Sequence, residues 1–385
     1  MKKLLISVWL VITFLPAVLF AQENYKTISK EEAAKVYPGG EVYKVKQYNE
    51  TGGKSKPKNV IMMIGDGMGV AQIYSGLTAN KGHLYLSNFN NIGFVTNFSS
   101  DNFITDSAAA GTALSTGTKT YNGAIGVDSD TVAVENIREK CEKMGMATGV
   151  VVTCAVTHAT PAAYVAHQPN RGMYEAIAGD FIKSGIDVFI GGGYKFFTDR
   201  KDGRDLTVDL KNIGYQVLTS MDDIVKVKSG KLAGLVAPEH LPAIKDGRDN
   251  MLENATETAL TILSNDPDGY FIMIEGSQID WGGHQNNTTY ITTEVLDFDK
   301  AIGKALAFAA KDKETLVIVT ADHETGGFAI KGGSMEKGSV VGGFCTGSHT
   351  GIMIPVFAFG PGAENFRGFY DNTDIPKKIT KLLTE

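Results

Sequence analysis

Apolar runs alternate with amphipathic stretches along most of this chain. Asn59-Val60-Ile61-Met62-Met63-Ile64 is continuously apolar, the pattern of a strand buried on both faces. Val134, Ile137, Cys141 and Met144 recur instead at helical spacing, and Gly145 suits the end of that helix. Thr148–Thr153 reads as a second strand. Met173, Ile177 and Phe181 mark a helix that leads into a third strand at Asp187–Ile190. Helices near 250–264 and 290–310 then alternate with strands at Phe271–Ile274 and Leu316–Val319, and Pro355–Phe359 completes the run. This rhythm predicts an α/β fold: a three-layer sandwich with a mainly parallel central sheet flanked by helices.

Three stretches depart from the rhythm. Residues 22–58 are polar, with Pro38-Gly39-Gly40 and Thr51-Gly52-Gly53, and read as an extended N-terminal arm. Residues 194–248, charged and rich in Asp-Gly turns, read as an insertion or flap within the main domain 59–385. Residues 331–348 read as a long Gly-rich loop. At the front, Lys2-Lys3, the apolar run Leu4–Phe20 and the small Ala21 form the pattern of a signal peptide over residues 1–21. A membrane anchor is the alternative, but the run is short of the ~20 residues a span needs, and Pro16 interrupts it. The expectation is an exported protein, periplasmic or extracellular, with no membrane span after processing.

Composition narrows the chemistry. A net charge of −6 with no Lys/Arg stripe argues against nucleic acid as a partner. Three cysteines, Cys141, Cys154 and Cys345, cannot form a disulfide framework and lack zinc-finger spacing, so any zinc must take other ligands.

In a parallel sheet the active site lies beyond the C-terminal strand ends. The first strand ends in Gly65-Asp66-Gly67-Met68-Gly69, which is not the dinucleotide Gly-x-Gly-x-x-Gly. The strand at 271–274 ends in Glu275-Gly276-Ser277-Gln278-Ile279-Asp280-Trp281-Gly282-Gly283-His284, with Asp280 and His284 spaced to share a helix face. The strand at 316–319 ends in Thr320-Ala321-Asp322-His323, and His349 precedes the last strand. A lone histidine is ordinarily a core or capping residue. Four carboxylates and three histidines at strand ends are different, because gathered acids repel unless cations join them. Imidazole with carboxylate suits zinc, and oxygen ligands suit magnesium. Ser107, in Thr105-Asp106-Ser107-Ala108-Ala109-Ala110-Gly111, falls at the start of a helix. There it is either a nucleophile beside an anion-binding N-terminus or part of a plain Asp/Ser cap. After Thr157-His158-Ala159-Thr160 come His167 and Arg171. Arg171 is either a surface cation or a fork for phosphate.

With these residues in view, the chain from about Asn59 onward resembles the alkaline phosphatase family. The segment Thr105–Gly126, then EGSQIDWGGH at 275–284, TADHETGGF at 320–328 and HTG at 349–351, are similar to that family's motifs and occur in its order. The resemblance implies an alkaline-phosphatase-like fold and a metal-dependent phosphomonoesterase with two Zn2+ and one Mg2+ per chain. It implies that Asp280, His284 and His349 hold one zinc. Asp66, Asp322 and His323 would hold the other, beside Ser107 as the phosphorylated nucleophile. Thr160 and Glu275 would join Asp66 at magnesium, and Arg171 would clamp the phosphate. It further implies inorganic phosphate and an alcohol as products, a broad substrate range, and a homodimer as one of the family's assembly states. His158 and Trp281 stand where enteric bacterial members carry aspartate and lysine, and the pair is similar to marine and cold-environment members. That exchange puts the magnesium shell in question and removes a cation near phosphate. A related phosphodiesterase, a sulfatase and a non-catalytic zinc-binding protein are the rivals. Ser107 lacks the Pro-x-Arg that follows a sulfatase nucleophile, and Thr160 with Glu275 disfavours the diesterase.

Overall fold

The apolar runs assemble into one ten-stranded sheet in the computed structural model, which describes residues 34–49 and 56–385. Across the sheet the strands lie in the order Gly368–Asp371, Asn91–Thr96, Ile354–Phe359, Thr315–Thr320, Asn59–Gly65, Tyr270–Gly276, Ala147–Ala155, Val188–Gly192, Leu232–Leu235 and Gln216–Leu218. Ile354–Phe359 runs antiparallel to both of its neighbours, and every other adjacent pair is parallel. The central strands Asn59–Gly65, Tyr270–Gly276 and Thr315–Thr320 are buried at every position, which is why they read as unbroken apolar runs rather than as alternations.

Helices cover both faces of this sheet. The longest, Thr288–Asp312, buries Ile291, Val295, Phe298, Ile302 and Leu306, one stripe at intervals of three and four. Asn287 caps its start by accepting from the Tyr290 N–H, and Lys313 turns left-handed to end it. The helix expected from Val134 begins only at Ile137. Asn136 and Glu139 form a reciprocal capping box there, which fixes the start three residues later than the apolar spacing implies.

Two expectations about irregular segments need correction. The stretch 331–348 is not a plain loop: Ala329–Ser334 and Ser339–Gly343 pair antiparallel, with a bulge between Ile330 and Gly332, and Val36–Tyr37 adds a third strand. Its glycines hide this from side-chain pattern, since backbone pairing alone builds the sheet. Nor is 194–248 a flap, because Leu232–Leu235 and Gln216–Leu218 extend the central sheet at one edge. Leu-Ala-Gly-Leu is buried yet carries no β-branched residue, so its strand signal is weak.

The predicted signal segment lies outside the described residues, as do 22–33 and 50–55 of the arm. The described part of the arm is tied down along its length. The Ala34 carbonyl accepts from Thr288 N–H at 2.7 Å, the Tyr43 hydroxyl donates to Asp299 at 2.5 Å, and Tyr48 N–H donates to Asn88 at 2.7 Å. The three cysteines are free, with Cys141 and Cys154 buried and Cys345 exposed. Among the described residues no helix is long and apolar enough to cross a membrane.

Candidate metal centre and nucleophile

The parallel strands bring their C-terminal tips to one end of the sheet, and the candidate residues follow directly from them. Asn59–Gly65 delivers Asp66, Tyr270–Gly276 delivers Glu275 and Thr315–Thr320 delivers Asp322 and His323. The short helix Ile279–His284 puts Asp280 and His284 one turn apart, as their spacing predicts. His349 comes from a two-strand ribbon in which it pairs with Thr325. Gly67 has φ +74°, and a Cβ there would lie 2.6 Å from the Asp280 Cα. Only glycine lets the Asp66 tip approach that helix so closely.

Ligand atoms of Asp66, Asp322 and His323 all lie within 4.8 Å of one another, and so do those of Asp280, His323 and His349. The first group is the expected one. The second differs from expectation by containing His323, which faces both groups. His284 joins the second through Asp280: its Nε2 is 3.3 Å from Oδ2, while His349 Nε2 is 3.4 Å from Oδ1. The His323 and His349 rings stack with centroids 3.5 Å apart.

Each histidine is aimed by its other nitrogen. His284 Nδ1 meets the Gly347 carbonyl at 2.8 Å, His349 Nδ1 meets the Thr105 carbonyl at 2.8 Å, and His323 Nδ1 meets the Thr325 hydroxyl at 3.2 Å. A carbonyl can only accept, so Nδ1 of His284 and His349 donates and Nε2 is left to ligate, the usual outer support of metal-bound imidazole.

The decisive test of metal fit is the state of the oxygens. Both carboxylate oxygens of Asp66, Asp322 Oδ2, Glu275 Oε1 and Thr160 Oγ1 are buried without a hydrogen-bond partner, and so is His158 Nδ1. Buried polar atoms are rarely left this way, and here they converge. Burial pushes the Asp66 carboxyl well above the usual range, helped by the charges of Asp322, Asp280 and Glu275. Burial and the Asp280 charge raise Asp322 to about 6. Burial likewise raises Glu275 to about 7, against the Ser277 hydrogen bond. Asp280 is the exception: burial is outweighed by hydrogen bonds from His284 and His349, and its carboxyl falls well below the usual range. In return Asp280 lifts His284 to about 9. Acids that repel one another, with the ε-nitrogens of three imidazoles aimed at them, form a donor set for divalent cations. The His/Asp sets suit zinc, and the oxygens of Asp66, Thr160 and Glu275 suit magnesium.

Ser107 is the first residue of the helix Ser107–Thr116, and Asp106 is its N-cap, accepting from the Ala109 N–H. Asp106 is thus the cap, and the Ser107 hydroxyl takes no part in it. Its Oγ lies 3.1 Å from His323 Nε2. Arg171 pairs with Asp106 at 2.8 Å and reaches His158 Nε2 at 3.4 Å. His158 is held neutral by burial and by the Arg171 and His240 charges, which lower it to about 3. The Trp281 ring packs edge-on to His158, with centroids 6.1 Å apart.

Several supporting residues do not stand out in the sequence, though two of them lie inside its motifs. Ser277 donates to Glu275 at 2.6 Å and exchanges backbone–hydroxyl bonds with Thr153. The Thr325 hydroxyl bonds Asp280 as well as His323. His240 accepts from the Ala155 N–H at 3.0 Å and packs on Trp281, with centroids 4.8 Å apart. It comes from the charged 194–248 stretch, where nothing nearby in sequence marks it.

Residues 57–342 match the sequence profile described as Alkaline phosphatase. Alkaline phosphatase 4 of Bacillus subtilis is 36% identical, with 86% of this chain and 89% of that protein covered. The solved structure of the alkaline phosphatase from the Antarctic bacterium TAB5 has 47% identity and a TM-score of 0.82, covering 86% of this chain and 99% of that one. A variant of the TAB5 enzyme with a histidine replaced by aspartate, at 45% identity and TM-score 0.81 over 86% and 98% of the two chains, was solved with Mg bound in the M3 site. The cold-active enzyme from Shewanella has 31% identity and a TM-score of 0.79, with 85% and 100% covered. On fold, strand-tip chemistry and sequence alike, this chain belongs to the alkaline phosphatase family.

Proposed function

We propose that the enzyme hydrolyses phosphate monoesters in two displacements at Ser107. Ser107 Oγ attacks phosphorus, the ester P–O bond breaks, and the alcohol leaves with a proton. Water then attacks the phosphoserine, inorganic phosphate departs, and Ser107 recovers its proton. Zinc held by Asp280, His284 and His349, zinc held by Asp66, Asp322 and His323, and magnesium held by Asp66, Thr160 and Glu275 would supply Lewis acidity and lower the pKa of bound hydroxyls. The chain's own contribution is orientation. The helix N-terminus offers N–H groups to the phosphoryl oxygens, and Arg171, with Asp106 holding one side of its fork, offers the rest. A third site that takes Mg has a precedent in the TAB5 variant in which a histidine is replaced by aspartate.

One observation carries this reading: buried oxygens of Asp66, Asp322, Glu275 and Thr160 lack hydrogen-bond partners, and His323, which groups with Asp66 and Asp322, touches the Ser107 hydroxyl at a helix start. The magnesium donors Thr160 and Glu275 favour monoesters over diesters. Export to the periplasm or beyond is part of the proposal and rests on the sequence pattern of residues 1–21. The test is turnover of p-nitrophenyl phosphate by wild type and Ser107→Ala, each stripped of metal and then restored. Wild type recovers with zinc and magnesium, and Ser107→Ala stays at background. Recovery of the variant, or equal turnover of the bis-ester, contradicts the proposal.

A further inference from the structure

His167 lies outside the metal centre, four residues before Arg171, and both of its ring nitrogens face oxygens. Nδ1 is 2.6 Å from the Gly126 carbonyl and Nε2 is 2.9 Å from Glu139 Oε1. Neither oxygen can donate, so both contacts are hydrogen bonds only when both nitrogens carry protons. The chain is shaped around this ring. Gly126 has φ +60°, and a Cβ there would meet His167 Nδ1 at 2.9 Å and the Ala166 carbonyl at 2.2 Å.

The Gly126 segment joins the two halves of the reacting machinery. Its N–H donates to Thr112 Oγ1 at 2.9 Å, and Thr112 stands on the Ser107 helix. Ile125 bridges Gln168, and the Gly123 carbonyl accepts from the Arg171 N–H at 2.7 Å. On the other side, Glu139 is fixed in the capping box of the helix Ile137–Lys143 and lies 3.8 Å from the Arg138 guanidinium. We propose that His167, as an imidazolium, is a positioning residue that locks the Arg171 segment to the nucleophile helix through Gly126. This rests on the reading of Arg171 as the phosphate clamp.

The charges around the ring favour that form. Glu139 and Arg138 face it from the helix Ile137–Lys143, and Asp180 acts from the helix Tyr174–Lys183. The Glu139 hydrogen bond holds His167 above the ordinary histidine range against the effect of burial, with the Gly126 carbonyl and the charges of Glu139 and Asp180 adding to it. Burial raises Glu139, but His167, the Asn136 N–H and Arg138 outweigh it, so its carboxyl stays below the usual range. As pH rises through the His167 pKa one proton leaves, one of the two bonds is lost, and the brace slackens. Phosphate affinity then falls with alkalinity, which hastens product release.

Two measurements on the metal-loaded enzyme test this. Nitrogen NMR of the His167 ring reads its protonation directly, independent of turnover. Both nitrogens are expected to be protonated at pH 7, and a neutral ring there overturns the proposal. Inhibition by inorganic phosphate reads the positioning. His167→Ala is expected to raise the phosphate Ki and the KM about 10-fold with kcat changed less than threefold, as a misplaced clamp does. His167→Asn keeps a donor for the Gly126 carbonyl but cannot titrate. It is expected to recover most of the affinity, and the ratio of its Ki to the wild-type Ki falls as pH rises. An unchanged Ki in His167→Ala, or a pH-independent ratio, overturns the proposal, and the Asn variant and the NMR decide the matter if the Ala variant does not fold. Absent turnover in wild type would instead strike the phosphatase reading, leaving the ring's protonation still readable.

Discussion

Two regions of this molecule bury clusters of carboxylates, and they solve the problem in opposite ways. Beneath the arm, Glu294 and Asp297 sit on the long helix with Arg248 between them. Arg248 Nη2 reaches both acids, with Asp297 at 2.9 Å, and Glu294 also accepts from the Ile244 N–H at 2.9 Å. At the strand tips, Asp66, Asp322 and Glu275 are buried as deeply but keep oxygens with no hydrogen bond. Among the described residues, the only group able to carry positive charge within ion-pair distance of those of Asp66 and Asp322 is the His323 ring. Glu294 and Glu275 are both raised to about 7, in each case chiefly by burial. A shifted pKa therefore does not tell the two regions apart, but the account of hydrogen bonds does. One cluster carries its own cation, and although Arg248 Nε is left without a hydrogen bond, no carboxylate oxygen of Glu294 or Asp297 is. The other is built to receive cations from solution.

The comparison is sharpest when each cluster loses one member. Asp322→Asn is expected to bring phosphatase turnover to background while leaving the metal-free protein's melting temperature unchanged or higher, because a repelling charge has gone. Arg248→Met should do the reverse. It strands two buried acids and costs about 3–5 kcal/mol of stability, while the folded fraction keeps its kcat. Calorimetry with an active-site titration separates these outcomes, and a matching pattern in the two variants would erase the distinction. Thr325→Val removes the hydroxyl shared by Asp280 and His323, and zinc affinity is expected to fall about 10–100-fold, as read by competition with a chelator.

Glu294 and its Gln variant isolate the closed cluster's share of the pH dependence of stability, to which Glu275 and Asp322 of the open cluster also contribute. Burial raises the folded-state pKa of Glu294 to about 7 from the ordinary 4.5, so the folded state binds its proton more tightly than the unfolded state does. Its contribution is complete below pH 4.5 and is lost as pH rises through about 7. Glu294→Gln, which cannot ionise, is expected to flatten that fall in denaturant titrations between those limits. A wild-type slope that survives in the variant would assign the effect elsewhere. The smallest expected effect is at Trp281, whose ring packs beside His158 and His240 where a lysine would bring a cation. Trp281→Lys is expected to tighten phosphate inhibition several-fold in Ki, and an unchanged Ki would show that the missing charge does not govern release.

The open cluster was legible in the sequence because its acids and imidazoles directly follow buried apolar strands, and a parallel sheet carries all such tips to one end. Asp66, Glu275 and Asp322 are of this kind, and Asp280 with His284 needed only one helical turn. The residues that aim them were not legible. Ser277 and Thr325 each join one partner two residues away to another far along the chain, His240 meets Ala155 and Trp281 across the fold, and a threonine or serine within a motif is unremarkable by itself. The strands at 329–343 and 232–235 escaped for a different reason: glycine and alanine carry backbone pairing without a side-chain pattern. The closed Arg248 cluster left no trace either, since its members are spread over 50 residues with ordinary surface-like composition nearby.

Anomalous X-ray scattering at the zinc edge, from crystals of protein purified without chelator, tests the central claim most directly. Two peaks are predicted, one among Asp66, Asp322 and His323 and one among Asp280, His284 and His349. Occupied zinc positions elsewhere, or ordinary hydrogen bonds to water satisfying those oxygens in a fully active enzyme, would contradict the account.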